Sequence, residues 1–283
     1  MKRALLALLI LVIALPAFAT GTTESGGMDD DTALYNTPDD PRLYEPGKLT
    51  VATSEPAFPP WVLNDDPASG EGFESALVYA LADELGFVRD EVVWVRQTFD
   101  QGIAPGSKPY DFNIQQYSIT EDRKEFVSFS DVYYQPDKAV VALPDSGISE
   151  AESFADLRTV RWGATIGTTD MDYIEEVIGV DDIAVFNDQA ATFQALLADQ
   201  IDATVISVPT AYYATAVQVP EAEIAAILPE DPTDEGFGLL FSKDNPIIPW
   251  INEGLASLRA QGVIEDLATE WLASAGDIPE ISE

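Results

Sequence analysis

Cysteine and histidine are both missing from the 283 residues, and basic residues are scarce, 14 Lys and Arg standing against 50 Asp and Glu. Without cysteine there can be no disulfide, thiol nucleophile, zinc–thiolate site or cysteine-linked lipid anchor. Without histidine there can be no Ser-His-Asp or Cys-His machinery and no imidazole-ligated metal. A formal charge of −36 argues against nucleic acid as a partner, because phosphate binding needs clustered Lys and Arg. What is present is a 46 % hydrophobic, 10 % aromatic chain, the make-up of a globular protein rather than a disordered one. At roughly 150 residues per domain, the length suggests two domains.

The acidity itself reads first as a solvated surface, which keeps a protein soluble and monomeric at the cost of self-repulsion. Concentrated metal binding is the minor alternative. Asp29-Asp30-Asp31 lacks the Gly and the downstream Glu of a calcium loop, so it reads as a hydrated linker. No metal and no other cofactor is expected.

Lys2 and Arg3 precede an apolar run from Ala4 to Phe18 that closes in Ala17-Phe18-Ala19. A positive start, an apolar middle and a small-x-small end make a secretory signal peptide. The run is shorter than the ~20 apolar residues of a membrane span, an uncleaved anchor being the alternative. Cleavage after Ala19 leaves Thr20, where a lipoprotein would need cysteine. The mature chain is therefore expected to be soluble and periplasmic. From residue 20 to 47 the composition turns to Gly, Thr, Asp, Asn and Pro, which reads as a flexible acidic leader.

Beyond it, short apolar runs alternate with helical patterns. Strands are expected at Leu49–Thr53, Val92–Val95, Asp111–Gln115, Ala139–Leu143, Val160–Ala164, Ala203–Ser207 and Gly238–Phe241. Phe73, Leu77, Leu81 and Leu85 recur at four-residue spacing until Gly86, which predicts a helix. Further helices are expected at Thr169–Ile178, Asn187–Leu197 and Pro249–Trp271. Strands alternating with helices imply an α/β fold with mostly parallel sheets. In such sheets ligands sit beyond the carboxyl ends of the strands. Two turn-rich acidic stretches, Pro144 to Ser149 and Pro229 to Glu235, could be crossings between lobes. The expected division is residues 1–19 signal peptide, 20–47 leader, 48–141 first part of lobe one, 142–234 lobe two, and 235–283 completion of lobe one.

Chemistry-bearing residues collect in the strand-to-helix loops. Ser118-Ile119-Thr120-Glu121-Asp122-Arg123 is both a helix-cap pattern and a set of donors with an arginine able to clamp a carboxylate bidentately. In a chain so short of cations, Arg123 tips the balance toward binding. Gly167-Thr168-Thr169-Asp170 permits close approach of an anion to a helix start, and is equally a Thr or Asp cap. Phe58, Trp61 and Phe99 lie off core periodicity and either line a cleft or fold back onto the lobe. Glu55 and Ser207 end strands; an acid in a chain this acidic is usually at the surface.

The order of these motifs resembles the solute-binding proteins of amino-acid ABC transporters, two-lobed α/β proteins of the periplasmic-binding-protein fold. The resemblance runs from about Lys48 to Trp271 and is carried by Ala57-Phe58-Pro59-Pro60-Trp61, Gly72-Phe73-Glu74 with Leu85-Gly86-Phe87, Tyr110-Asp111-Phe112 through Ser118-Ile119-Thr120 to Arg123, Phe129-Ser130, Tyr133-Tyr134, Gly167-Thr168-Thr169, and the last helices with Leu255, Leu258, Gln261-Gly262 and Trp271. It implies each lobe a mostly parallel sheet flanked by helices, lobe two inserted into lobe one, and hinge closure on a small polar ligand, in the first instance an amino acid, for delivery to an ABC permease. It also implies that Ser118 and Arg123 hold the ligand's α-carboxylate, that Thr168 and Thr169 add donors from lobe two, and that Phe58 packs on the ligand's stem while Glu55 faces its side chain. Trp61 belongs to the same expected binding set. The departures are Ser207, where the family commonly has an aspartate for the α-ammonium, Gln116, where many relatives have glycine, and Ala76 for a second acid of the first helix. The rival is an enzyme on the same fold, a prephenate or arogenate dehydratase with Glu55 or Asp100 as general acid.

If the signal reading is right, intact mass spectrometry of the exported protein will show a chain beginning at Thr20. A retained Met1 or partition with membranes after a salt wash would contradict it.

Overall fold

In the computed structural model, residues 34–231, 233–272 and 281 are described. The expected signal peptide and the first part of the expected leader lie outside these residues. The chain folds into two five-stranded sheets. The first contains β1 (Leu49–Ser54), β2 (Val92–Gln97), β3 (Phe112–Asn113), β4 (Val127–Tyr134) and β10 (Phe237–Ser242), in the order β2-β1-β3-β10-β4. The second contains β5 (Lys138–Ala142), β6 (Trp162–Thr165), β7 (Ile183–Phe186), β8 (Ala203–Ser207) and β9 (Glu223–Leu228), in the order β7-β6-β8-β5-β9. Lobe two is thus inserted between β4 and β10 of lobe one.

Each sheet is mixed. Four strands of each run one way, three of them side by side, and β10 in the first sheet and β5 in the second run against both neighbours. The reason lies in the crossings: parallel strands of a doubly wound lobe end at the cleft, whereas a strand arriving from the other lobe starts there. Lys138 therefore opens β5 opposite Ser207, the last residue of β8, and Phe237 opens β10 opposite Tyr134, the last of β4.

This pairing corrects one expected boundary. Residues 138–142 belong to the second sheet, so the first crossing is the short link 135–137, not Pro144–Ser149. The latter forms turns within lobe two. The chain returns to lobe one between β9 and β10.

The helix predicted at Phe73 is α1 (Phe73–Glu84), whose Phe73, Leu77 and Leu81 are buried. It packs with α8 (Ile248–Ala260) and α9 (Val263–Trp271), which replace the single helix expected over Pro249–Trp271 because Gly262 takes the left-handed conformation between them. Leu255 and Leu258 join Trp61, Phe112 and Phe241 in the core of lobe one. Each such side chain contributes about 1.5–3 kcal/mol on burial. Lobe two buries one cluster on each face of its sheet, around Trp162 and Tyr173 on one side and Phe193 and Leu196 on the other. Five short helices complete the set: α2 (Phe99–Ile103), α3 (Glu121–Lys124), α4 (Phe154–Leu157), α5 (Thr169–Asp172) and α7 (Val208–Tyr213); α6 spans Gln189–Leu197. Among the described residues no helix is long and apolar enough to cross a membrane.

The leader is a second correction. Its described part, residues 34–47, packs on lobe one. Leu43 is buried in that core, and Asp40, fully buried, accepts from the Arg42 guanidinium at 2.6 Å. Tyr44 N–H donates to Asp111 Oδ1 at 2.7 Å.

Gly72 carries the joint between the proline-rich loop and α1. Its φ is +99°, and a Cβ there would stand 2.6 Å from the Trp61 backbone oxygen. Gly72→Ala is expected to destabilise the protein by about 2 kcal/mol or more. Urea denaturation reads this directly, and an unchanged midpoint would contradict it.

Candidate functional site

The ends of β1, β3, β6 and β8 face one another across the cleft, enclosing a cavity of about 210 Å³. Lobe one contributes Glu55, Phe58, Phe99, Gln116 and Arg123 to its wall, and lobe two contributes Lys138, Thr168, Thr169, Asp170 and Ser207. The structure therefore brings together most of the residues singled out in the sequence, though several differ in what they touch.

Arg123 is buried on α3, whose start is capped by Thr120: its Oγ1 accepts from the Arg123 backbone N–H at 3.3 Å. The cap reading and the binding reading of this motif are thus carried by different atoms. The guanidinium donates through Nη1 to the Ser118 backbone oxygen at 2.7 Å and through Nη2 to the Gly167 backbone oxygen of lobe two at 2.9 Å. It also stands 5.4 Å from the centre of the Phe99 ring, within cation–π range. Burial lowers its pKa, and the nearby Asp172 and Asp234 oppose that fall.

Ser118 and Thr169 meet across the lobes, their hydroxyls 3.0 Å apart. Ser118 Oγ donates to Asp234 Oδ2 at 2.7 Å and is almost wholly buried. The two threonines divide their work. Thr168 Oγ1 accepts from Met171 N–H at 3.3 Å and donates to the Thr165 backbone oxygen at 2.8 Å, so it caps α5. Thr169, buried, faces Asp234 and Lys138.

Lys138 was not among the residues expected at the site. Its ammonium lies 2.9 Å from Asp170 Oδ1 and 3.4 Å from Asp234 Oδ2. Burial depresses its pKa, and Asp170 and Asp234 outweigh that effect, so the net direction is upward. A signal existed: a lysine opens the otherwise apolar run Ala139–Ala142 in a chain with few cations. Asp170 was read as part of a motif, while Asp234 was read as part of a turn.

Trp61 is a correction. It is 1 % exposed and makes edge-to-face contacts with Phe73, Tyr134 and Phe237, so it lies behind the wall, not on it. Its Nε1–H donates to Thr210 Oγ1 of lobe two at 2.8 Å. An indole held in an apolar cluster needs a partner for its one donor, and Thr210 supplies it. Ser207 Oγ lies 2.8 Å from the same Thr210 hydroxyl. Phe58 is half-buried and Glu55 exposed at the wall. Asp100 is exposed and accepts from Thr98 Oγ1 at 2.6 Å; it is not part of the cavity wall. Phe99, expected on a loop, begins α2.

Removing Lys138 would leave the buried Asp234 carboxylate, and the partly exposed Asp170 beside it, without their cation. Lys138→Ala is therefore expected to cost about 3–5 kcal/mol, read as a lowered urea midpoint. A loss below about 1 kcal/mol, the size of a surface pair, would mean that the ammonium is not buried as described.

Residues 49–274 match the family described as bacterial extracellular solute-binding proteins, family 3. Similar curated proteins include the probable histidine-binding protein of Neisseria gonorrhoeae, 24 % identical over 94 % of this chain and 96 % of that one. The arginine-binding extracellular protein ArtP of Bacillus subtilis is 27 % identical over 71 % of this chain and 77 % of its own. Among solved structures, an ancestral arginine-binding protein bound to arginine superposes with a TM-score of 0.66 at 28 % identity, covering 80 % of this chain and 99 % of that one. The ancestral amino acid-binding protein AncCDT-1, a precursor of cyclohexadienyl dehydratase, gives 0.66 and 28 % over 80 % and 96 %.

Proposed function

We propose, for a chain that belongs to the bacterial extracellular solute-binding proteins of family 3, that the cleft binds an α-amino acid and hands it to an ABC permease, the protein working in the periplasm. The observation that carries this reading is Arg123. Among the described residues it is the one buried guanidinium on the cavity wall, and it already reaches from lobe one to the Gly167 backbone oxygen of lobe two. A ligand carboxylate placed between Arg123 and the Thr169 hydroxyl would engage donors from both lobes at once. A ligand favours the closed state only by contacts it makes there and not in the open state, and this placement supplies them.

The amino group requires negative charge, and Ser207 provides none. Asp170, next to Thr169, and Glu55 on the lobe-one side both line the cavity and serve that role in this reading. The names of the relatives, which are binding proteins for arginine, histidine and other amino acids, support binding over turnover. Of the two acids considered for a dehydratase, Asp100 is outside the wall and Glu55 remains.

Thermal-shift screening of the mature protein against the L-amino acids, with prephenate and arogenate alongside, tests the assignment, since a ligand of the native state raises the melting temperature. At least one amino acid is expected to do so, and consumption of prephenate or arogenate would move the assignment to an enzyme. With the ligand found, Arg123→Ala should weaken binding by about 30-fold to several thousand-fold, the effect of leaving a buried anion unpaired. Calorimetric affinities within a factor of three would remove Arg123 from the site.

A further inference from the structure

Behind the cavity wall, and touching no ligand position, lies a carboxyl group for which neither the family match nor the site described above has a use. Glu74, on the first turn of α1, is 0 % exposed. Its Oε1 accepts from the Gln116 backbone N–H at 2.9 Å and from the Tyr133 hydroxyl at 2.5 Å, and its Oε2 accepts from the Gln116 side-chain amide Nε2. Gln116, which lines the cavity, has a φ of +50°, a left-handed conformation uncommon for a residue with a side chain. Two of the three bonds to Glu74 thus come from the one residue whose backbone needs holding.

We propose that Glu74 is the positioning residue of the ligand cleft, fixing Gln116 in its left-handed conformation and setting, by gaining or losing a proton, whether Gln116 shows the ligand an acceptor or a donor. The inference rests on the cleft being the ligand site, as read above.

The logic follows from counting donors. With Glu74 ionised, Gln116 gives Nε2–H to Oε2, and its own Oε1 is the atom left to turn toward the cavity. A proton on Glu74 Oε1 would displace two donors, the Gln116 N–H and the Tyr133 O–H, whereas a proton on Oε2 displaces one. Oε2 is therefore the cheaper site. Once Oε2 carries a proton it must donate, so the Gln116 amide turns over: Gln116 Oε1 accepts from the carboxyl O–H, and Nε2 is released to the cavity. The backbone bond to Oε1 survives in both states.

The groups that act on this carboxyl place the exchange in an accessible range. Burial is the largest effect and raises its pKa, while the bonds from the Tyr133 phenol on β4 and from Gln116 lower it, for a net value of about 7. Tyr133 is the titratable group facing it; burial and the Glu74 charge push that phenol well above its ordinary value, and Tyr117 adds to the push. Among the described residues its hydrogen-bond partners are Gln116 and Tyr133, neither of them a cation.

The test has a part that needs no ligand. In ¹⁵N-labelled protein, the Gln116 backbone and side-chain amide signals should titrate together between pH 5.5 and 8.5, with a midpoint near 7. They should stay flat in Glu74→Gln, and Tyr133→Phe, which removes a donor to the carboxylate, should move the midpoint upward. Flat Gln116 signals in the wild type would overturn the proposal without reference to any variant. For binding, L-arginine and L-glutamate are the probes. The ratio of their affinities should shift in favour of arginine by roughly three- to tenfold from pH 5.5 to 8.5, the worth of one hydrogen bond, and should be constant in Glu74→Gln. A constant ratio in the wild type would overturn the specificity role. Failure of every amino acid to bind would instead defeat the reading of the cleft, while the amide titration would still decide the role of Glu74.

Discussion

Where the two lobes meet, an ammonium has to be held in a place with little water, and most of the site is arranged around that requirement. Lys138 is nearly buried, and the charge it brings would be costly unless paired. Asp170 comes from its own lobe, and Asp234 comes from the segment returning to lobe one. Asp234 also accepts from the Gly236 N–H at 2.9 Å and from Ser118 of lobe one. One carboxylate thus touches the hinge segment and both lobes. Buried pairs add little to net stability, yet they penalise every arrangement in which a partner is lost. The junction therefore acts less as glue than as a selector of one closed geometry, the geometry in which Arg123 reaches Gly167 and Trp61 reaches Thr210.

The same junction explains the mixed sheets. Because β5 begins at the hinge with Lys138, it must run against β8, which ends at the cleft with Ser207. Hinge position and sheet direction are one fact seen twice. Neither was legible in the local sequence, because turn chemistry marks a change of direction without saying whether the chain changes lobe. Pro144–Ser149 has strong turn residues and stays within lobe two. The crossing between β4 and β5, Gln135-Pro136-Asp137, is only three residues long. Periodicity, by contrast, was a sound guide where one face is buried, as in α1. It passed over β4, whose burial does not alternate regularly, β7, a half-exposed edge strand, and β9, which lacks alternation. The leader was misjudged on composition: the Asp40 pairing with Arg42 and the burial of Leu43 anchor residues that look linker-like one by one.

Residue type and loop position were enough to single out Arg123, Thr169 and Phe58, which line the cavity, and Ser118, which is buried beside Thr169 but does not line it, because donors near strand ends are a local property. What sequence could not supply was the partner of each group. Ser118 and Asp234 are 116 positions apart, and Trp61 and Thr210 are 149 apart. The indole donor of Trp61 decides its place, since it serves Thr210 while the ring fills the core. Glu74 shows the same limit. It stood inside a recognised motif as one more acid, and only its three donors, drawn from β4 and from the loop after β3, give it a role.

The overall charge bears on recognition in a way that separates long range from short. Several of the few described cations are paired with acids inside the protein: Arg42 with Asp40, Arg96 with Asp65, Arg161 with Asp199 and Asp202, Lys124 with Glu121 and Glu235, and Lys138 with Asp170 and Asp234. The excess of acids implied by a formal charge of −36 is left facing solvent. At a distance such a field attracts cations and repels anions, an effect that salt screens over about 10 Å at 0.1 M. A carboxylate must therefore be recognised against the field of the whole protein, by a group whose influence is strong locally and weak far away. A buried guanidinium meets that condition, because attraction between charges grows as water is excluded. An ammonium or guanidinium on the same ligand is drawn in by the wider field and needs less from any single residue, which makes a neutral Ser207 compatible with a ligand that carries positive charge.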